Sequence, residues 1–99
     1  MDPMAKIRIN SDGVVRNLEE LAYYLKKHLE LGILEVKFLG VYPYKRFANA
    51  TSLENVISFL MNKFDLTRNE ATEIINRLIA EGWVDRKDYL NGSWIVFNI

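Results

Sequence analysis

The sequence of 99 residues contains no cysteine, which excludes disulfide bonds, thiolate metal sites and thiol nucleophiles. It also lacks the run of about 18–20 apolar residues that a membrane-spanning helix needs, and its N-terminus lacks the apolar core of a signal peptide. We therefore expect a cytoplasmic protein without membrane contact. Its hydrophobic fraction of 49% and charged fraction of 26% are ordinary for a globular protein. We expect residues 1–99 to form one domain around a single core.

Patterns that carry catalysis or hold cofactors are also missing. His28 is the only histidine, and a single imidazole supplies neither a metal ligand set nor a base with a matching nucleophile. The carboxylate pairs in the sequence fit helix starts and solvated strands better than a catalytic cleft. No glycine-rich phosphate loop occurs. We expect no catalytic residue, no metal and no cofactor, and therefore a protein that is not an enzyme.

The charges of the chain balance, with 13 basic and 13 acidic side chains. Residues 1–50 carry eight Lys or Arg against six Asp or Glu, whereas residues 51–99 carry five against seven. The C-terminal half is thus slightly acidic. This weighs against nucleic-acid binding by that half, because affinity for DNA comes largely from clustered basic side chains.

Three amphipathic helices are predicted by one repeated pattern. A capping side chain precedes a glutamate by three positions, so that the two can satisfy each other's free backbone N–H groups. The three pairs are Asn17 with Glu20, Thr51 with Glu54, and Thr67 with Glu70. Apolar residues follow each pair at helical spacing, which indicates a shared core. Gly32 and Gly82 fit the left-handed positions that end the first and third helices.

Strands are predicted on either side of these helices. Residues 5–15 are expected to form an N-terminal strand and turn, and residues 1–3 are expected to be a cloning remnant. Residues 33–42 are apolar and β-branched enough for one strand that leaves the first helix. Asn91 and Gly92 separate two strand-like runs, which predicts a hairpin with a two-residue type I′ turn.

The order of helix, strand, two helices and hairpin resembles a winged helix-turn-helix domain. The resemblance is carried by residues 52–99, with helix "SLENVISFLMNKF", turn "DLT", helix "RNEATEIINRLIAEG" and hairpin "WVDRKDYLNGSWIVFNI". The junction "GWV" at residues 82–84 is similar to the one through which such domains enter their wing. The resemblance implies an α+β fold with three helices, a small antiparallel sheet and a C-terminal hairpin wing. The N-terminal strand is an addition to that pattern.

The resemblance also implies transcriptional regulation through binding of double-stranded DNA. In that family the second helix of the pair, here residues 67–81, lies in the major groove, and the wing, here residues 83–99, contacts the DNA backbone. Asparagine can pair with adenine, and arginine can pair with guanine or phosphate. The implied contact residues are Arg68, Asn69, Asn76, Arg77, Arg86 and Lys87.

The same helix supports a different interpretation. Glu70, Glu73 and Glu81 share it, and each carboxylate that faces a phosphate repels it. A solvated polar face of mixed charge is therefore equally compatible with the sequence. The alternative function is a winged-helix protein–protein interaction module that does not bind DNA.

Residues 41–47, "VYPYKRF", are predicted to form a loop with aromatic rings around Lys45 and Arg46. Aromatic and basic side chains together can bind nucleic acid by stacking and charge neutralisation. They can also anchor a protein partner, for which Tyr44 is the candidate. A third interpretation is that the rings cap the core while the basic groups stay in water, since burial is the commonest role of aromatic rings.

The final strand carries apolar side chains on both of its faces. Trp94 and Val96 are expected on one face, and Ile95, Phe97 and Ile99 on the other, whereas a wing normally exposes one polar face to water. We expect either the N-terminal strand or a second subunit to cover the additional face. The pattern favours a homodimer, with Trp94 as a partner-binding residue.

Overall fold

Three helices lie on one face of a four-stranded antiparallel sheet in the computed structural model, which gives the fold as α+β. The structure describes residues 2–10, 13–14, 17–38 and 41–99, with the backbone alone at 9–10, 13–14, 37–38 and 41–44. The elements in chain order are a 3-10 helix Pro3–Lys6, β1 Arg8–Asn10, β2 Gly13–Val14, α1 Leu18–His28, β3 Gly32–Phe38, β4 Val41–Ser52, α2 Leu53–Phe64, α3 Arg68–Glu81, β5 Val84–Tyr89 and β6 Gly92–Phe97. The strand order in the larger sheet is β3-β4-β6-β5.

The core lies between the helices and the inner face of this sheet. Each helix turns its predicted apolar stripe inward, so that Leu25 of α1, Leu60 of α2 and Ile74 of α3 are all 0% exposed. Ile95 of β6 closes the core from the sheet. The predicted shared core is therefore confirmed. None of the helices in the described part of the chain has the length and apolarity to cross a membrane.

The caps of α1 and α3 follow the prediction. The side chain of Asn17 accepts a hydrogen bond from the backbone N–H of Glu20 at 2.8 Å. At α3 the box is reciprocal: the Thr67 hydroxyl accepts from the Glu70 N–H at 3.1 Å, and the Glu70 carboxylate accepts from the Thr67 N–H at 3.0 Å. These contacts fix where each helix begins.

The predicted cap of α2 at Thr51 is wrong by one residue. Ser52 caps the helix instead, because its hydroxyl accepts from the backbone N–H of Asn55 at 3.1 Å. Thr51 still belongs to β4, where it pairs with Ile95 on the inner face and is 6% exposed. Its hydroxyl accepts from the side-chain amide of Asn55 at 3.1 Å.

Of the two glycines predicted to end a helix, one does so. Gly82 ends α3 in the left-handed conformation, with φ of 85°. Gly32 does not end α1, because the helix stops at His28 and Leu29 already has extended backbone angles. The chain therefore passes straight into β3, which begins at Gly32, and no left-handed residue is needed.

A long hairpin replaces the strand and loop predicted between α1 and α2. β3 ends at Phe38 and pairs there with Val41, the first residue of β4. The predicted single strand at 33–42 and the predicted loop at 41–47 are therefore both wrong. Residues 33–42 are mostly apolar or β-branched throughout, so the sequence pattern reads as one strand.

The C-terminal hairpin of β5 and β6 is present, but its turn lies one residue earlier than predicted. Tyr89 pairs with Gly92, which leaves Leu90 and Asn91 as the two loop residues. Gly92 has φ of 131° and is the first residue of β6. The positive angle explains why a glycine follows the turn, since a residue with a Cβ atom adopts such backbone angles only with strain.

The N-terminal segment does not join the larger sheet. Among the described residues, β1 pairs with β2 alone, in a separate two-stranded sheet, while the 3-10 helix packs on α3. Ile7, between the 3-10 helix and β1, is 0% exposed in the core. No described side chain of this segment belongs to the cluster around Trp94 and Val96, so the expected covering of that face of the last strand is not found among the described residues. The predicted turn residues 11–12 and Val15 lie outside the described residues.

Candidate nucleic-acid interface

A short turn connects α2 to α3. Asp65 ends α2 in the left-handed conformation, with φ of 53°. Leu66 follows and is 5% exposed, so it ties the turn to the core. Thr67 then caps α3. After α3 the backbone N–H of Trp83 donates to the carbonyl of Leu78 at 3.0 Å and directs the chain into β5. The hairpin of β5 and β6 therefore follows α3 directly.

The side of α3 opposite the core is exposed to solvent. Its four residues, which we call the outward strip, are Asn69, Glu73, Asn76 and Ala80. They recur every three or four positions and so form one line along the helix. In the described part of the chain the amide side chains of Asn69 and Asn76 have no hydrogen-bond partner. Asn69 and Asn76, two of the contact residues that the sequence predicts, are thus exposed on this strip.

Both arginines of α3 are held by carboxylates. Arg68 makes a two-pronged contact with Glu54 at the start of α2, with 3.1 Å between Nη1 and Oε2. The Nη1 atom of Arg77 donates to Oδ1 of Asp2 at 2.8 Å, and its Nη2 atom donates to Oε1 of Glu73 at 3.0 Å. The hydrogen bond from Arg68 lowers the pKa of Glu54, so that this carboxylate stays charged. Binding of a phosphate by either arginine requires exchange of these partners.

The N-terminal segment covers one flank of α3. Two ion pairs join the segment to the helix. The Nζ atom of Lys6 lies 2.9 Å from Oε1 of Glu70, and the Nη1 atom of Arg77 lies 2.8 Å from Oδ1 of Asp2. Two hydrogen bonds lower the pKa of Glu70 below its ordinary value of 4.5: the larger effect comes from the backbone N–H of Thr67 and the smaller from Lys6. Whatever their origin, residues 2–6 are part of this surface. Local sequence patterns do not indicate this flank, because the partners are more than 60 positions apart in the chain.

The basic residues of the hairpin point to opposite faces of the sheet. Arg86 pairs with Ile95 on the helix side, and its Nε lies 2.9 Å from Asp88. Hydrogen bonds from the Ser93 hydroxyl, with the larger effect, and from Arg86 lower the pKa of Asp88. Lys87 lies on the outer side, with its Nζ 5.0 Å from the centre of the Phe47 ring. The structure therefore separates Lys87 from the other residues of the predicted DNA surface.

Arg68 and Arg86 line one groove, although they come from different elements. The groove has a volume of about 520 Å³ and lies between the start of α2 and the hairpin. Ser52, at the N-terminus of α2, and Trp94, on β6, also line it. We call it the arginine groove. Two guanidinium groups beside a helix N-terminus are suited to binding a phosphate.

Lys45 and Arg46 lie in β4, where they pair with β3 and do not form the predicted loop. Val36 is the pairing partner of Lys45, and Glu35 lies 3.1 Å from the Nε of Arg46. Lys45 itself is exposed. The side chain of Tyr44 lies outside the described residues. These basic residues therefore belong to the hairpin of β3 and β4 rather than to the groove beside α3.

The outer face of the sheet carries a second apolar cluster. Leu34, Ala50 and Val96 are buried at its centre, and partly buried residues surround them. We call these seven residues the outer cluster: Leu34, Val36, Phe47, Ala50, Tyr89, Trp94 and Val96. The predicted split of β6 into two apolar faces is confirmed, and no described helix covers this one. The Nε1 atom of Trp94 is buried without a hydrogen-bond partner among the described residues.

Among the residues described, no three His, Asp or Glu side chains converge in a way that would hold a metal ion. Comparison of the chain with protein-family models, with curated proteins and with solved structures gives no match.

Proposed function

We propose that this protein is a winged helix-turn-helix domain that binds double-stranded DNA and regulates transcription. The observation that supports it best is the exposed outward strip of α3, which lies on the same helix as Arg68 of the arginine groove. A helix of 14 residues is long enough to lie in the major groove. The hairpin of β5 and β6 would serve as the wing, with Arg86 toward the DNA backbone.

In this proposal the outward strip contacts base edges, and the arginine groove binds a phosphate. The carboxylates that now hold Arg68 and Arg86 belong to exposed ion pairs. Such pairs contribute little stability, because water and salt screen them. A DNA phosphate can therefore replace Glu54 at Arg68, and Asp88 at Arg86. Release of counterions from the DNA then favours binding.

The proposal predicts a steep dependence of binding on salt. We expect the dissociation constant for a random-sequence duplex, measured by fluorescence anisotropy, to rise strongly as salt increases from about 50 to 200 mM. Arg68→Ala and Arg86→Ala should each reduce the slope of log K against log salt by about 0.9, because each removes one phosphate contact.

Arg46→Ala is the matched control, since Arg46 is also exposed and also paired with a carboxylate, but lies on β4. It should leave the slope unchanged. If the wild-type protein does not bind duplex DNA at low salt, the proposed function is wrong. If all three variants lower the slope equally, the contact surface is not the arginine groove.

A second candidate function is protein–protein interaction, including formation of a homodimer, through the outer cluster. The supporting observation is that this apolar face lacks a helical layer in the described part of the chain. A partner that covers the face would bury the remaining apolar surface.

The dimer predicts a concentration-dependent mass in sedimentation equilibrium. We expect the wild-type protein to sediment as a dimer at high concentration and Trp94→Ala as a monomer, because the substitution removes the largest side chain of the outer cluster. Tyr23→Ala is the control, since Tyr23 is an aromatic residue of α1 that is 54% exposed. A wild-type protein that stays monomeric at high concentration would rule the homodimer out.

A further inference from the structure

We propose that the outer face of the sheet binds single-stranded DNA, by stacking of bases on the aromatic rings of the outer cluster. The inference goes beyond duplex binding beside α3, because it concerns the side of the sheet that faces away from the helices. Three observations carry it: aromatic residues from three strands share this face, two lysines accompany them, and no described helix covers them. The choice of DNA over RNA rests on the proposed function, whereas the choice of a single strand does not.

The aromatic residues of the outer cluster are Phe47, Tyr89 and Trp94, which lie on β4, β5 and β6. All three are only partly buried, so part of each side chain is still in contact with solvent. A ring of this kind can stack against a nucleobase, and stacking accepts any base because every base has an aromatic face. The faces of bases are accessible in a single strand but lie inside the stack of a duplex. The rings therefore favour a single strand.

Two lysines lie on the same face as these rings. Lys45 pairs with Val36, and Lys87 pairs with Trp94; side chains that lie directly opposite in antiparallel strands share a face. The Nζ atom of Lys87 is 5.0 Å from the centre of the Phe47 ring, and such a contact is weak where water reaches it. Neither lysine has an ion pair among the described residues. Each can therefore bind a phosphate without displacing a carboxylate.

The charge of the face suits a polyanion. Strand register places one described carboxylate there, Asp85, which lies opposite Val96. Lys45 and Lys87 thus give the face two positive charges against one negative charge. The phosphates of a strand carry the opposite charge, whereas a second copy of the chain would bring the same two lysines to the contact. Lysine is also depleted where proteins meet. We therefore commit to the strand as the occupant of this face.

The test is binding of a fluorescent oligothymidylate strand of about 15 nucleotides, measured by anisotropy. This probe forms no duplex with itself. We expect the wild-type protein to bind it and Phe47→Leu to bind it roughly five- to hundredfold more weakly, because leucine keeps an apolar side chain but removes the ring. Phe47→Tyr should retain binding. Lys45→Ala and Lys87→Ala should each reduce the slope of log K against log salt by about 0.7, the value for one phosphate of a single strand.

Matched variants on other surfaces separate this site from binding in general. Tyr23→Leu removes an exposed ring from α1, and Lys63→Ala removes an exposed ammonium group from α2. Neither should change binding of the strand. Arg68→Ala should weaken binding of duplex DNA and leave binding of the strand unchanged. Asp85→Asn should strengthen binding of the strand, because it removes a charge that repels phosphate. Circular dichroism checks that each variant is folded.

The possible failures are distinguishable. No binding of the strand, or equal losses from Phe47→Leu and Tyr23→Leu, would overturn the inference and leave duplex binding standing. A loss with Arg68→Ala alone would place the strand in the arginine groove and overturn it as well. Tighter binding of the matching ribonucleotide strand would overturn the choice of DNA, and a dimer that excludes the strand would show that a second copy occupies the face. Loss of duplex binding alone would overturn the proposed function instead.

Discussion

Replacing Leu60 with alanine is expected to lower the free energy of unfolding by about 2–5 kcal/mol. Leu60 lies in α2 and is 0% exposed. The substitution removes buried apolar atoms and leaves a cavity that the surrounding helices cannot fully close. Small domains have a total stability of only about 5–15 kcal/mol, so this loss is large. Urea denaturation followed by circular dichroism would measure it.

Leu90→Ala is the matched control for this experiment. It removes the same atoms from the tip of the C-terminal hairpin, where Leu90 is fully exposed. We expect a change within about 0.5 kcal/mol, because the side chain is in water in both the folded and unfolded states. Equal losses from the two variants would contradict the packing of α2 described above.

The helices could be predicted because their signals lie within a few residues of one another. The capping box of α3 involves Thr67 and Glu70 alone, and each apolar stripe repeats every three or four residues. Periodicity also indicated which side of α3 would face solvent. The cap of α2 was misplaced because Thr51 and Ser52 both have a hydroxyl group. Only the pairing of Thr51 with Ile95 decides between them.

The strands were harder to predict, because their partners are distant in sequence. The last residues of β4 pair with β6, and Ala50 lies opposite Val96. This pairing joins the hairpin of β3 and β4 to the C-terminal hairpin in one sheet, and it creates the outer cluster. An alternating apolar pattern shows that a face is buried but does not identify the strand beside it.

The candidate site shows the same division between local and distant contacts. Exposure of Asn69 and Asn76 follows from helical periodicity, which the sequence contains. The engagement of Arg77 by Asp2 joins residues 75 positions apart and depends on how the N-terminal segment packs on α3. The sequence shows the excess of acidic residues in the C-terminal half, but the structure shows which arginines these carboxylates hold.

Neutralising the carboxylates that hold Arg68 and Arg86 is expected to strengthen DNA binding. In the variant Glu54→Gln with Asp88→Asn, both guanidinium groups lose their charged partners and remain in the arginine groove. In the wild-type protein a phosphate must first displace the carboxylate from each arginine, and an exposed ion pair of this kind lowers the affinity by at most about fivefold per arginine. We therefore expect a dissociation constant about two- to thirtyfold lower, with the number of phosphate contacts and the salt dependence unchanged.

Removal of negative charge alone would also favour DNA, so the control must change the charge elsewhere. Glu30→Gln removes an exposed carboxylate that has no ion pair among the described residues. A second substitution, Glu19→Gln on α1, is added to it. The control Glu30→Gln with Glu19→Gln then has the same net charge as Glu54→Gln with Asp88→Asn. We expect these changes to raise affinity only slightly, because the screening length is about 10 Å at 0.1 M salt. Equal gains from both double variants would show that net charge, and not release of the two arginines, governs binding.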